Sequence, residues 1–134
     1  MRYPIAIEPG DAKHAYGVVV PDLPGCFSAG DTLDEAITNA AEAIALWMEE
    51  RIESGDLPPK AKPIEAHRKN PAWKGWVWAI VEVDLSRVAD KAERINITIP
   101  GRLLARVDAR ASKIGETRSG FLARAALEAL SRGA

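Results

Sequence analysis

The chain has 134 residues, 47% apolar and 28% charged, enough for one ordinary domain or two small ones with a buried core. No strictly apolar run exceeds the six residues of Trp76–Val81, too short to cross a bilayer, and Met1–Asp11 lacks a signal-peptide layout, so a cytoplasmic protein with no membrane partner is expected. One cysteine, Cys26, excludes an internal disulfide framework and suits a reducing compartment. One Cys and two His, His14 and His67, argue against a structural zinc site, and neither a metal nor a cofactor is expected. The net charge of −1 hides an asymmetry. Residues 1–85 carry 8 Lys+Arg and 14 Asp+Glu, a net of −6, whereas residues 86–134 carry 10 and 5, a net of +5. The basic part suits a polyanion and the acidic part a basic partner, although two solvated surfaces would show the same split.

In chain order, Tyr3, Ile5 and Ile7 alternate with Pro4, Ala6 and Glu8, which predicts a half-buried strand. Pro4 sets it at a sheet edge or a strand start. Pro9-Gly10-Asp11 is turn chemistry, and Tyr16–Val20 is a second β-prone run, so the two form a hairpin. Pro21–Gly30, with two prolines and two glycines, reads as a shaped loop. Thr32 and Glu35 have capping-box spacing, and Leu33, Ile37, Ala40, Ala41, Ile44, Met48 and Ile52 make a helical stripe ended by Gly55 and Pro58-Pro59. Lys60–Gly75 is polar, with a short strand at Pro63–Ala66. Trp76–Val83 is the clearest strand, apolar on both faces and therefore central or covered by a neighbouring subunit. The predicted order is β-β-α-β, an α+β layer.

Ser86–Glu93 reads as a linker or fraying helix. Ile95, Ile97 and Ile99 then alternate with Arg94, Asn96 and Thr98, a strand that Pro100-Gly101 stops. Leu103, Leu104, Val107, Ala111 and Ile114 predict one helix, ended by Gly115, and Thr117 caps a last helix with Phe121, Leu122, Ala125, Ala126 and Leu130 on its apolar face. A β-α-α tail of about 40 residues buries too little surface to stand alone, and its strand lacks a partner. Two copies solve both problems if their strands pair about a two-fold axis, with Ile95, Ile97 and Ile99 as the dimer core. Arg94, Asn96 and Thr98 would then stand outward on a two-stranded ribbon that fits the DNA major groove. Arg can bind guanine, Asn adenine, and Thr a thymine methyl or an acceptor. The last helix would offer Thr117, Arg118 and Ser119, with its free N–H groups, to phosphates.

The Arg94–Pro100 strand, the two helices and the Thr117-Arg118-Ser119-Gly120-Phe121 helix start resemble a ribbon-helix-helix DNA-binding domain of the Arc/CopG type. Residues Pro21 to Ala36, PDLPGCFSAGDTLDEA, are similar to the signature of HicB-type antitoxins, with the strand before and the Ala-rich helix after. Lys60–Trp73 matches no motif. The resemblance implies a truncated RNase H-like domain over 1–85, a linker over 86–93 and a ribbon-helix-helix domain over 94–134. It implies an antitoxin that binds and neutralises a HicA-type toxin, a small basic RNase that cuts mRNA, and represses its own operon by binding operator DNA. Partners would be the toxin, operator DNA and a second copy of the chain, with a homotetramer as an extension through the N-terminal domains. Asp22, Ser28 and Asp31, on the shaped loop, are the toxin-contact candidates.

An enzyme is not expected. RNase H-like chemistry needs carboxylates converging on two metal ions, and Glu8, Asp11, Asp22, Asp31, Glu82 and Asp84 show no spacing that selects a cluster. Asp31 and Asp34 have an ordinary place at a helix start. Cys26 lacks a paired base and an oxyanion-hole motif, so it reads as a loop-packing residue. Trp47, Trp73, Trp76 and Trp78 read chiefly as packing residues, and His14 and His67 as surface residues, which disfavours a nickel-sensing regulator. The alternative function is a ribbon-helix-helix transcriptional regulator whose N-terminal domain binds a small ligand.

Overall fold

A computed structural model describes residues 1–87 and 92–132. Strands β1 (Arg2–Glu8), β2 (Tyr16–Val19), β3 (Phe27–Gly30) and β4 (Val77–Glu82) form one antiparallel sheet in the order β3-β2-β1-β4. The sequence order therefore gains a strand and becomes β-β-β-α-β. Phe27–Gly30 lies inside the expected loop: four residues with Ser, Ala and Gly carry little β signal, yet they pair with the whole of β2.

Helix α1 (Leu33–Glu53) crosses one face of the sheet. Ala36, Ala40, Ile44 and Met48, four residues apart, make one buried stripe on it. They pack with Tyr3, Ile5, Ile7, Val18, Val20 and Val81 in a single cluster. Small residues at Ala36 and Ala40 let the helix come close to the sheet. A Cβ on Gly30 would stand 2.4 Å from the Ala36 backbone nitrogen, so only glycine fits there. Each fully buried Ile or Met in this layer contributes about 1.5–3 kcal/mol of hydrophobic transfer free energy.

Strand β1 is internal, not an edge. It pairs with β4 over Arg2–Ile7 but with β2 only over Ala6–Glu8, so Pro4 falls where one side has no ladder partner and its missing N–H costs little. Pro4 and Ala6 are themselves fully buried, so the strand is covered on both faces. Trp78 stands opposite Ala6 on that second face, and Trp73 and His67 gather around Trp78 with ring centroids 5.9 Å and 6.2 Å away. Strand β4, expected to be central or covered by a subunit, is an edge within the chain and leaves Val77 and Ile80 exposed.

The short strand expected at Pro63–Ala66 is a helical turn instead, α2 (Ile64–His67), which Pro63 enters from an extended conformation. A 3₁₀ turn at Pro71–Trp73 follows, its first N–H groups partly satisfied by Asn70 Oδ1 accepting from the Ala72 N–H at 3.0 Å.

Beyond β4 a second 3₁₀ turn, Leu85–Arg87, opens the expected linker, while Val88–Lys91 lie outside the described residues. Helices α3 (Gly101–Lys113) and α4 (Arg118–Arg132) match the two predicted ones. Helix α4 rests on the first unit, with Ala123 packed against the main buried cluster that includes Leu85, and α3 packs on α4. Arg94–Ile99 carries no strand within one chain, because no described strand lies beside it to pair with. Ile95 and Ile97 are 72% and 58% exposed.

Candidate functional site

Two regions hold the residues singled out by sequence. The first is the β2–β3 connection. Two successive turns shape it, with the Leu23 N–H donating to Val20 O at 3.1 Å and the Cys26 N–H to Leu23 O at 3.0 Å. Leu23 and Cys26 are buried beneath the turns, and burial pushes the Cys26 thiol up from its ordinary value. From outside, the Trp47 indole N–H donates to Pro24 O at 3.0 Å and the Asn39 amide to Ala29 O at 2.8 Å, fixing both arms on α1.

The three candidates in this connection differ in setting. Asp22 turns inward with its side chain 4% exposed; it accepts from the Lys62 N–H at 3.1 Å and stands 3.0 Å from His67 Nε2. Ser28 is half-buried on β3, and Asp31 is exposed immediately before the α1 cap, where Thr32 Oγ1 accepts from the Glu35 N–H at 3.1 Å. His67 corrects the surface reading given to both histidines: its side chain is 11% exposed, whereas His14 is 77% exposed and bonded to Asp11. The Lys60–Trp73 stretch is thus a strap over the sheet, tied down by Asp22 and by Tyr3, whose hydroxyl donates to Pro59 O at 2.6 Å. Burial, reinforced by the Asp22 charge, pushes the Tyr3 phenol well above its ordinary value and keeps it a donor.

The second region is the start of α4. Thr117 caps it, its Oγ1 accepting from the Gly120 N–H at 3.0 Å and its hydroxyl donating to Asp84 Oδ2 at 2.8 Å. Arg118 forks onto Asp108 of α3, both bonds at 2.8 Å. Arg118 hydrogen bonding holds the exposed Asp108 carboxyl below its ordinary range, and Asp108 in turn raises Arg118. Ser119 is exposed beside them, and Arg94, Asn96 and Thr98 are exposed on the irregular segment before α3. Glu116, 5% exposed, is held by Arg124 at 2.9 Å.

Sequence reading missed Asp84, His67 and Tyr3 as partners across the chain. Asp84 preceding Ser86 has the pattern of a side chain bonding backbone two residues on, and that bond is present at 2.9 Å. Its reach to Thr117 left no local signal. Among the described residues, no group of three or more His, Cys, Asp or Glu side chains could hold a metal ion, and no helix is long and apolar enough to cross a membrane.

The pattern that defines the HicB-like antitoxins of bacterial toxin–antitoxin systems matches residues 3–126. The chain belongs to that family. A crystal structure of the Burkholderia pseudomallei antitoxin HicB is similar to this HicB-like chain at 48% identity and a TM-score of 0.74, covering 97% of this chain and 98% of that one. A chain from a HicA3–HicB3 toxin–antitoxin complex is 32% identical, with a TM-score of 0.53, over 63% of this chain and 99% of its own length. An uncharacterized 14.9 kDa protein from the rep-hol intergenic region of Haemophilus phage HP1 is 49% identical over 108 residues, 81% of this chain and 80% of that protein.

Proposed function

We propose that this HicB-like chain is an antitoxin that holds a small basic HicA-type RNase through residues 1–85 and represses its own operon through a ribbon-helix-helix dimer of residues 94–134. In this reading the N-terminal unit is a truncated RNase H-like domain that binds and is not an enzyme. The observation that carries the second half is the pair of exposed side chains Ile95 and Ile97 on a segment with no ladder partner, directly before two helices. Apolar β-branched side chains on one face of an unpaired strand call for a ladder partner and a shared core, and a second copy supplies both.

The surfaces agree in sign. Residues 1–85, net −6, offer an acidic face that competes with RNA phosphates for a basic toxin, and residues 86–134, net +5, offer a basic one for DNA. On the ribbon, Arg94, Asn96 and Thr98 read base edges; at α4, Thr117, Arg118 and Ser119 hold phosphates. On the acidic unit, Ser28 and Asp31 meet the toxin directly, while Asp22 acts by holding the β2–β3 connection and the Lys60–Trp73 strap in shape. The HicA3–HicB3 complex supports a toxin partner for this family.

The test is rescue. Co-expression of residues 1–85 with a HicA-type toxin encoded beside this gene should restore growth, and the full chain should also retard a duplex carrying the upstream region. Growth arrest despite accumulation of soluble 1–85 would refute the assignment of inhibition to this unit. Failure of the full chain to retard that duplex would refute the repressor half.

A further inference from the structure

The first turn of α4, read above as a phosphate clamp, already holds an anion. Asp84 follows β4 directly, and its carboxylate reaches across 33 residues of sequence to the α4 cap. Its Oδ2 accepts from the Thr117 hydroxyl at 2.8 Å, and its Oδ1 accepts from the Ser86 N–H at 2.9 Å and the Ser86 hydroxyl. The same Oδ1 lies 3.0 Å from where a Cβ on Gly120 would stand, so the carboxylate sits close against the third position of α4, where any side chain would press on it. Burial pushes Asp84 up, but the bonds from Ser86 and Thr117 and the Arg87 charge outweigh it and hold the carboxyl below its ordinary range, so it is charged at neutral pH. The neighbouring cation of the clamp is engaged as well, Arg118 being forked onto Asp108. Both positively poised groups of the proposed DNA contact, the helix start and the guanidinium, therefore carry internal carboxylates.

We propose that Asp84 is a built-in competitor for DNA phosphate: with α4 docked on the 3₁₀ turn Leu85–Arg87, the clamp is closed, and DNA binding requires Asp84 to leave it. This rests on the DNA-binding reading of α4. A carboxylate and a phosphodiester carry the same charge and seek the same donors, the helix start has room for one, and two anions there repel. The acidic unit thus sets the affinity of the basic one, and whatever draws Asp84 away from Thr117 raises DNA affinity.

The test uses the full chain and a fixed duplex carrying the upstream region, with a scrambled duplex of equal length. Asp84→Asn keeps the shape and removes the charge; Asp84→Ala removes both; Glu42→Gln, at an exposed position of α1, removes one acid elsewhere. Both Asp84 variants should bind both duplexes about three- to ten-fold more tightly at 0.1 M salt, with Glu42→Gln unchanged. In wild type, saturating duplex should shift the Asp84 carboxyl carbon resonance as its Thr117 donor departs. Wild-type binding that Asp84→Asn leaves unaltered, or an Asp84 carboxyl resonance that duplex leaves in place, would overturn the proposal and leave the DNA reading standing. Absence of DNA binding by wild type and all variants would overturn both.

Discussion

His67 Nε2 stands 3.0 Å from the Asp22 carboxylate, 45 residues away in sequence, and both side chains are nearly closed to solvent. Asp22 also accepts from the Lys62 N–H, so one side chain joins the β2–β3 connection to the strap that crosses the sheet. On its other side His67 lies nearly parallel to Trp78, an 8° angle between rings, which ties the same link to β4. Removing either partner leaves a buried polar group unsatisfied. Asp22→Ala and His67→Ala should each lower stability by about 1–3 kcal/mol. The double variant should lose less than their sum, because the contact can be lost only once. Urea melts of the four proteins measure the coupling, and strict additivity would show that the contact contributes nothing.

Tyr3 gives a pH dependence with a definite sign. Its phenol donates to Pro59 O from a buried site, and its folded pKa is raised above the unfolded value near 10. Below that unfolded value the protonated phenol is favoured in both states, and its contribution is fully present. As pH rises past it, the unfolded chain releases the proton first, and the contribution falls until the folded pKa is reached. Wild type should therefore lose stability steeply above about pH 10. Tyr3→Phe should cost about 1 kcal/mol at pH 7 through the unpaired Pro59 carbonyl, yet flatten the alkaline decline. Denaturant midpoints from pH 7 upward report both effects; parallel curves would contradict the assignment.

In the proposed ribbon dimer, Ile95, Ile97 and Ile99 form the shared core. Ile97→Asp would place an unpaired charge in a buried ladder, at a cost of several kcal/mol per subunit. It should make the protein dissociate through this segment at concentrations where wild type is at least dimeric, as read by sedimentation or light scattering. The α1-on-sheet unit should keep its near-ultraviolet tryptophan signal, because Trp47, Trp73 and Trp78 make their mapped contacts within residues 1–85. A wild type that sediments as a monomer at micromolar concentration would sink the ribbon.

What the sequence disclosed follows the range of the interactions. The stripe Ala36, Ala40, Ile44, Met48 and the Thr32 cap are set within a few residues, and both were legible. So were both ends of α3 and the start of α4, because Pro100, Gly115 and Thr117 act on their own turns. Strand order was not. Pro4 suggested an edge, but the pairing of β4 with β1 joins residues about 75 apart, and only the assembled sheet shows that β2 stops short of Pro4. The Phe27–Gly30 strand was hidden because its pairing to β2, rather than its composition, makes it a strand. Asp22 reads from the sequence as an acid on a shaped loop, and its inward turn depends on Lys62 and His67, in the stretch that no local pattern explains.

The DNA reading separates two kinds of contact by their response to salt and to sequence. Asn96, on the exposed segment, can make a bidentate bond to adenine from each subunit, and Asn96→Ala should cost about 1–3 kcal/mol per site. That loss should appear on the operator and vanish on scrambled duplex, since a base edge is what the amide reads. If Arg118 holds phosphate as proposed, it must first leave Asp108, and Arg118→Ala should weaken binding to both duplexes. Its salt slope should fall by about one per subunit, because each lost phosphate contact leaves one counterion on the DNA. The fork onto Asp108 adds a further condition: Asp108→Ala should free the guanidinium and strengthen both duplexes, opposite in sign to Arg118→Ala. Affinity against salt for the three variants, on operator and scrambled DNA, decides between these outcomes. Should Asn96→Ala leave operator preference untouched, the ribbon does not read bases, and the basic unit is a sequence-blind polyanion surface.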